Sequence, residues 1–305
     1  MAISAKDVME LRKQTDCGMM ECKKALTQAD GDFEKAIEIL REQGLAAANK
    51  KAGRIAAEGM VYAVSFDNCA VVVEVNAETD FVAKNDKFVD FTKNLAKVVA
   101  EQNPADVEAL MACKTEAGET VDEALKNLIL VIKENIKVRR FARYEGHCAA
   151  YVHGGGTHGV IVKFETSDDV AAKPEFAAFG KDIAMQVAAA NPSYLNESDV
   201  PEDVLAKEKE IVLAQMANDP KTANKPDAIK EKMAIGKLGK FYKEACLVDQ
   251  AFIKDGGMDV KKYVADTAKA LGGDIKIAAF THFTKGEGLE KRSDDFAAEV
   301  ASMVK

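Results

Sequence analysis

The sequence predicts an α+β protein, and three observations carry that prediction. Residues 1 to about 45 break into three apolar-striped segments separated by turn formers. A strand, turn, strand, helix pattern then occurs twice, beginning at Glu58 and again at Glu145. Beyond the second copy a charged helical pattern runs out to a proline-bounded turn and comes back. The expected architecture is a three-helix module, two repeated α+β lobes, an inserted antiparallel helical hairpin and a short C-terminal module.

Ser4 is placed to cap a first helix with Val8 and Leu11 on its inner face. "TDCG" breaks that pattern and "MMECKKALTQA" begins a second helix. Met19, Cys22, Leu26 and Ala29 share one face of it at helical spacing. Met20 falls instead on a polar stripe with Lys24 and Thr27. A methionine there is either incidental or a soft contact for a partner, and helical geometry alone leans to the first. Asp32 caps a third helix, "FEKAIEILREQ", which buries Phe33, Ile37 and Leu40, and Gly44 is expected to stop it. The alanine-rich, basic "AAANKKAGRIAAEG" reads as a linker, in part helical.

The internal repeat is the most informative feature. Both copies run Glu-Gly, strand, turn, strand, acidic loop and amphipathic helix. Phe88, Phe91, Leu95 and Val98 recur at helical spacing in the first helix, and Phe176, Phe179, Ile183 and Val187 in the second. Between the copies, "TVDE" forms a capping box for a helix over about 120–138 that carries Leu125, Leu128, Ile129 and Ile132. The copies differ at "ETDFVAKN" against "TSDDVAAKP", where Val170 is aligned with Phe81. A phenylalanine needed for the lobe's own packing should recur in both. Phe81 is therefore either a core anchor or an apolar wedge for another protein, and the asymmetry favours the wedge.

In the helical hairpin, Ile211, Val212 and Met216 would supply a seam. The hairpin is read either as a solvated arm or as a coiled-coil interface that pairs two copies. "GDIKIAAFTHFTKG" alternates as a strand, and "DFAAEVASMVK" reads as a final short helix.

Composition limits the function. The chain has 305 residues, 48% apolar and 30% charged, with a net charge of -8. So acidic a chain is not expected to work mainly by gripping nucleic acid. No apolar run is long enough to span a bilayer, so no membrane role is expected. "MAISAKDVMELRKQ" lacks the apolar centre of a signal peptide, so the expected location is the cytoplasm. None of the six cysteines forms a C-x-x-C pair, and reduced, partly buried thiols are expected. His153 and His158 flank "GGGT" without a zinc pattern, and "HGGGTHG" reads as a hairpin turn rather than a phosphate cradle. His147 and Cys148 are adjacent, so on a strand they point to opposite faces. The acidic pairs at Asp168 and Asp294 read as solvated faces. No catalytic residue, cofactor or metal ligand is expected.

Four motifs converge on one family. "LRKQTDCGMMECKKAL" closely resembles the N-terminal signature of the bacterial elongation factor Ts family, and "TDFVAKN" resembles its second signature. "KFYKEACLVDQAFIKD" and "GEGLEKRSDDFAAEV" resemble its C-terminal region. The resemblance covers essentially the whole chain in order. The glycine-alanine step that precedes Gly18 in the family is here Asp16 and Cys17.

The resemblance implies a fold and a function. The fold is a ubiquitin-associated-like helical module with its linker over 1–54 and a first core lobe over 55–140. A second lobe covers 141–179 and 229–263, an inserted coiled-coil hairpin 180–228 and a C-terminal module 264–305. The implied function is guanine nucleotide exchange: binding elongation factor Tu in its GDP-bound and nucleotide-free forms and ejecting GDP. Asp80 and Phe81 match the step that approaches the partner's magnesium site. Arg12, Met19 and Met20 match contact positions of the helical module, and His153 matches a contact before the second hairpin turn. A tethering adaptor is the competing expectation, and a lone Asp-Phe step in one lobe is a feature that a tether does not need. A thiol-dependent enzyme is a third.

Overall fold

A computed structural model describes residues 3–223 and 225–290. Three helices open the chain: α1 (Ala5–Thr15), α2 (Met19–Gln28) and α3 (Phe33–Lys51). Ser4 and Asp7 form a reciprocal capping box on α1, and Asp32 caps α3 through the Lys35 amide. Val8, Leu11, Cys22, Leu26, Ala29, Ala36 and Leu40 make the module's core. Two expectations are corrected. Met19 is exposed rather than sharing the buried face, because it opens α2 in the first turn, before the helix meets its neighbours. Gly44 does not stop α3. The helix continues because this glycine is packed against the next domain, where a Cβ would lie 3.3 Å from the Lys126 carbonyl oxygen.

The first lobe comprises β1 (Glu58–Phe66), β2 (Cys69–Ala77), α4 (Asp86–Gln102), α5 (Val107–Ala112), α6 (Val121–Ile132) and β3 (Lys137–Glu145). The second comprises β4 (Cys148–His153), β5 (His158–Glu165), α7 (Asp168–Ala171) and α8 (Pro174–Ala190). The arm, α9 (Glu202–Asn218) and α10 (Asp227–Ala245), follows, then a short hairpin β6 (Ala251–Phe252) and β7 (Asp255–Asp259), α11 (Val260–Leu271) and β8 (Lys276–Thr284). The sheets are antiparallel, ordered β1-β2-β3 and β4-β5-β8. In both, a helix ending in a left-handed residue, Lys133 or Gly272, feeds the third strand. Both sheets also carry a register shift, at Glu74/Val75 and at Lys163/Phe164.

Period-two alternation explains the layering. Val71, Val73 and Val75 face α4 and α6, with Phe88, Leu95 and Val99. Val160, Val162 and Phe164 face α8 and α11, with Phe176, Phe179, Ile183 and Val187. The opposite faces meet through Val61, Ala63, Ala70, Val72, Ile161 and Phe283. Close approach of the sheets requires Gly159, where a Cβ would lie 2.4 Å from Val61 Cγ1.

The expected boundaries shift accordingly. The helix expected over about 120–138 ends at Ile132, where Lys133 turns left-handed, and the chain from Lys137 pairs with β2 as β3, which runs to Glu145 across the expected border after 140. α8 passes residue 180 and reaches Ala190, with Ile183, Ala184 and Val187 in the second lobe's core. α10 is one helix across the border at 228. The segment expected to begin a separate C-terminal module supplies the end of α11 and β8, the third strand of the second sheet. In the arm Met216 is buried with Ala234, but Ile211 faces outward rather than joining the seam. The helix expected from "DFAAEVASMVK" lies outside the described residues.

The lobes are also joined through charge. Glu74 is 0% exposed on the inter-sheet face of β2. Arg139 Nη1 at 3.0 Å, Arg140 Nε at 2.6 Å, Asn76 Nδ2 at 3.1 Å and the Gly286 amide at 2.8 Å all donate to its carboxylate. Arg140 also stacks 4.2 Å from the Phe283 ring centroid and donates to the Thr284 carbonyl. Lys285 pairs with Glu58. Burial works against ionisation of Glu74, but the bonds from Gly286, Asn76, Arg140 and Arg139 outweigh it, so its pKa lies below the ordinary 4.5. Its contribution to stability is full above that value and is lost as pH falls through the lowered folded-state pKa. Glu74→Gln is expected to lower the unfolding free energy at neutral pH by about 3 kcal/mol. Urea titrations should also show stability falling less steeply below the ordinary glutamate range than in the parent chain.

Candidate functional site

β2 delivers the "TDFVAKN" step. After Ala77 the chain leaves the sheet, and two side chains brace it at once. Glu78 Oε1 accepts from the Asn135 amide at 2.6 Å. The Thr79 amide and hydroxyl donate to Glu134 at 3.0 and 2.7 Å. Phe81 then opens a 3₁₀ turn, Val82–Lys84, and its carbonyl accepts from the Lys84 amide at 3.2 Å. Asn85 caps α4 through the Lys87 amide. Val82 is buried in the first lobe's core, whereas Phe81 is 79% exposed. Asp80 bonds Lys84 Nζ at 3.3 Å in an exposed pair that contributes little by itself.

The repeat clarifies Phe81. Val170 corresponds to Val82 and not, as expected, to Phe81. Both valines are buried, and each stands six residues before the buried phenylalanine that starts its lobe's helix packing, Phe88 or Phe176. The position of Phe81 is taken by exposed Asp169 in the second lobe. Each lobe has its own valine anchor, so Phe81 is surplus to the core.

Arg12 lies exposed in the last turn of α1, and Met19 and Met20 in the first turn of α2, 52% and 75% exposed. This end of the module is tied to the Phe81 turn. Glu21 accepts from the Gly18 amide at 2.9 Å and pairs with Lys133 Nζ at 2.6 Å. The Lys133 bond, with help from the Gly18 amide, holds the Glu21 carboxyl below its ordinary range. Lys133 precedes Glu134, which holds Thr79, and Asn135, which holds Glu78 and also donates to the Arg54 carbonyl at 2.7 Å. Asp16 pairs with Lys87 of α4 at 3.2 Å. One three-residue turn therefore carries both the methionines and the phenylalanine. Sequence reasoning missed this bracket, since Lys133, Glu134 and Asn135 are ordinary surface residues until the fold sets them between two segments.

His153 comes from the other lobe. The β4–β5 turn closes on β1, where the Val61 amide donates to the Gly156 carbonyl at 2.8 Å. β1 residues Glu58 and Gly59 pair with Ala77 and Asn76. His153 and the Asp80–Phe81 turn thus lie at the same end of the stacked sheets. His153 is exposed and hydrogen-bonded through Nδ1 to the Tyr151 hydroxyl at 2.9 Å. His158 is half-buried and bonded to His282 at 3.1 Å, while His147 pairs with Asp168 at 3.0 Å. Burial, and then neighbouring His158, push the His282 pKa down. All six predicted partner residues are exposed.

The arrangement is a protruding apolar and polar surface. All six cysteines are free, and burial pushes the Cys148 and Cys246 thiols up to about 11, which leaves little thiolate at neutral pH. Among the described residues no group of three or more histidine, cysteine or carboxylate side chains is arranged to hold a metal. No helix among them is long and apolar enough to cross a membrane.

The comparisons with known proteins agree on one family. The family model for elongation factor Ts matches residues 78–287. An elongation factor Ts of Clostridium perfringens is 48% identical over 306 residues, covering 99% of this chain and 99% of the relative. One from Syntrophotalea carbinolica is 48% identical over 311 residues, covering 100% of each. One from Trichlorobacter lovleyi is 48% identical over 311 residues, covering 99% of this chain and 98% of the relative.

Glu134→Ala removes both bonds to Thr79. Amide hydrogen exchange over 79–84 is expected to accelerate about tenfold, with a global stability loss of about 1–2 kcal/mol.

Proposed function

The chain belongs to the elongation factor Ts family and is a translation elongation factor, and from that premise we infer that it acts on elongation factor Tu as a guanine nucleotide exchange factor. The observation that carries this reading is Phe81, a large apolar side chain 79% exposed on a turn braced from two sides. Ordering such a turn beforehand reduces the entropy lost on docking. The core gains nothing from Phe81, because Val82 already fills the anchor position.

In the proposed mechanism Phe81 and Asp80 enter the partner's nucleotide domain beside its magnesium site. Arg12, Met19 and Met20 grip the same domain, and His153 adds a contact from the second lobe. Phe81 need not touch GDP. It favours a partner conformation that holds magnesium and phosphate poorly, and GDP affinity falls by that differential binding. By linkage GDP weakens the factor's grip equally, so GTP entry releases the complex through the same coupling. In this reading the factor uses no cofactor, makes no covalent bond and works in the cytoplasm beside its partner. The arm presents exposed Ile211, Ile229 and Ile235, on which a second copy is proposed to pack.

Release of labelled GDP from elongation factor Tu, with this chain in catalytic amounts, tests the reading. Phe81→Ala is expected to slow catalysed release about 10–100-fold, the equivalent of about 1.5–3 kcal/mol for one buried aromatic side chain. An alanine variant that exchanges GDP at the parent rate would remove the wedge, and a parent chain that binds without accelerating release would leave an adaptor. Sedimentation of the parent and of Ile235→Glu reads the arm: a dimer in the first and a monomer in the second is the expected pair.

A further inference from the structure

Among the described residues the exposed methionines lie on the first two helices. Met9, Met19 and Met20 are 58%, 52% and 75% exposed. Met60 and Met216 are buried, and Met111, Met185, Met233 and Met258 are half-buried. Among the described residues, then, every exposed methionine belongs to α1 or α2. Two of the three stand side by side in the first turn of α2, which the Glu21–Lys133 pair ties to the Phe81 turn. The core beneath is filled by Cys22, Leu26 and Ala29, so neither thioether is needed to hold the module together.

We propose that Met19 and Met20 form an oxidation-sensitive site, at which a hydroperoxide converts the thioethers to sulfoxides and reversibly uncouples this chain from its partner. The proposal rests on the partner-binding reading above. The sulfur lone pair attacks one peroxide oxygen. An S–O bond forms and the O–O bond breaks, and the second oxygen leaves with a proton as water or an alcohol. Sulfur is oxidised by two electrons and the peroxide is reduced by two. Reversal uses two thiols, which become a disulfide as the oxygen departs as water. The sulfoxide replaces a soft apolar contact with a strong dipole, which costs free energy to bury in an interface without a donor to match it. The nearby thiols compete poorly for the oxidant. Cys17 and Cys22 are buried, and burial raises the Cys17 pKa, which disfavours its thiolate.

The test uses the full chain, treated with graded hydrogen peroxide that is then removed, and read by peptide mass spectrometry and by catalysed GDP release from untreated elongation factor Tu. Oxygen is expected on Met9, Met19 and Met20 before any half-buried methionine. Exchange should fall about tenfold, the effect of losing one interface anchor, with the thermal unfolding transition unchanged. The two epimer-specific methionine sulfoxide reductases with dithiothreitol should restore it, and dithiothreitol alone should not. Met9→Leu should respond to peroxide like the parent. The double variant Met19→Leu, Met20→Leu, scored against its own untreated rate, should keep that rate through treatment. Equal loss in the double variant, recovery with dithiothreitol alone, or sulfoxide at both positions with unchanged exchange would each overturn the proposal. An untreated chain that releases no GDP fails before peroxide is added; it sinks the partner reading and this proposal with it.

Discussion

The buried carboxylate of Glu74 is the constraint around which the two lobes are set. It sits in a strand that is apolar on both sides, where an unpaired charge would be prohibitive. Its partners are drawn from three places: β3 supplies Arg139 and Arg140, β2 supplies Asn76, and the turn after β8 supplies the Gly286 amide. That turn belongs to the second lobe's last strand. The first lobe supplies three of the four donors; the fourth, with the contacts of Arg140 to Phe283 and Thr284, forms only when the lobes dock, which ties the register of β8 to that of β2. Apolar packing across Val61, Val72, Ile161 and Phe283 is nondirectional and would tolerate sliding. The Glu74 network fixes the position.

That fixed docking has a functional consequence. It brings the β4–β5 turn with His153 to the end of the sandwich where β2 releases the Asp80–Phe81 turn. The bracket at Lys133–Asn135 adds the N-terminal module to the same side. Three segments distant in sequence become one surface, and each is held by charged or backbone hydrogen bonds rather than by the exposed side chains themselves. This division leaves Phe81, Met19 and Met20 free to make contacts elsewhere. The same freedom exposes the two thioethers to oxidants.

Much of this was legible beforehand because local rules governed it. Helix starts at Ser4, Asp32 and Thr120 followed from capping chemistry, and all three caps are present. The helix faces over 88–98 and 176–187 followed from periodicity, and the repeat announced two similar lobes. The misreadings share a different cause. Gly44 reads as a helix stop by propensity, yet close packing on α6 keeps it helical. Met19 fits an apolar stripe, but a stripe says which face is apolar and not how far the neighbouring helices extend. Val170 aligns with Val82 once burial, not letter order, identifies the anchor: the two loops have the same length, but one carries a single aspartate before its valine, in "TDFV", and the other two, in "SDDV". Glu74 did leave a signal, a lone acid inside "VVVEV" with two arginines in the strand "KVRR". Its meaning required knowing that β2, β3 and the turn after β8 converge.

The sequence by itself determined the N-terminal helices, the repeated strand pairs with their helices, the helical arm and the family, because each is written in local periodicity, caps and contiguous motifs. It also singled out Phe81, since a difference between two repeats is visible without coordinates. Tertiary structure alone decided where the lobes end, which strand completes the second sheet, and what braces the exposed turn. Those depend on contacts between residues tens to hundreds of positions apart, such as Thr79 with Glu134 and Glu74 with Gly286. No local rule encodes such pairs, because their free energy arises only once both segments have been brought together and desolvated.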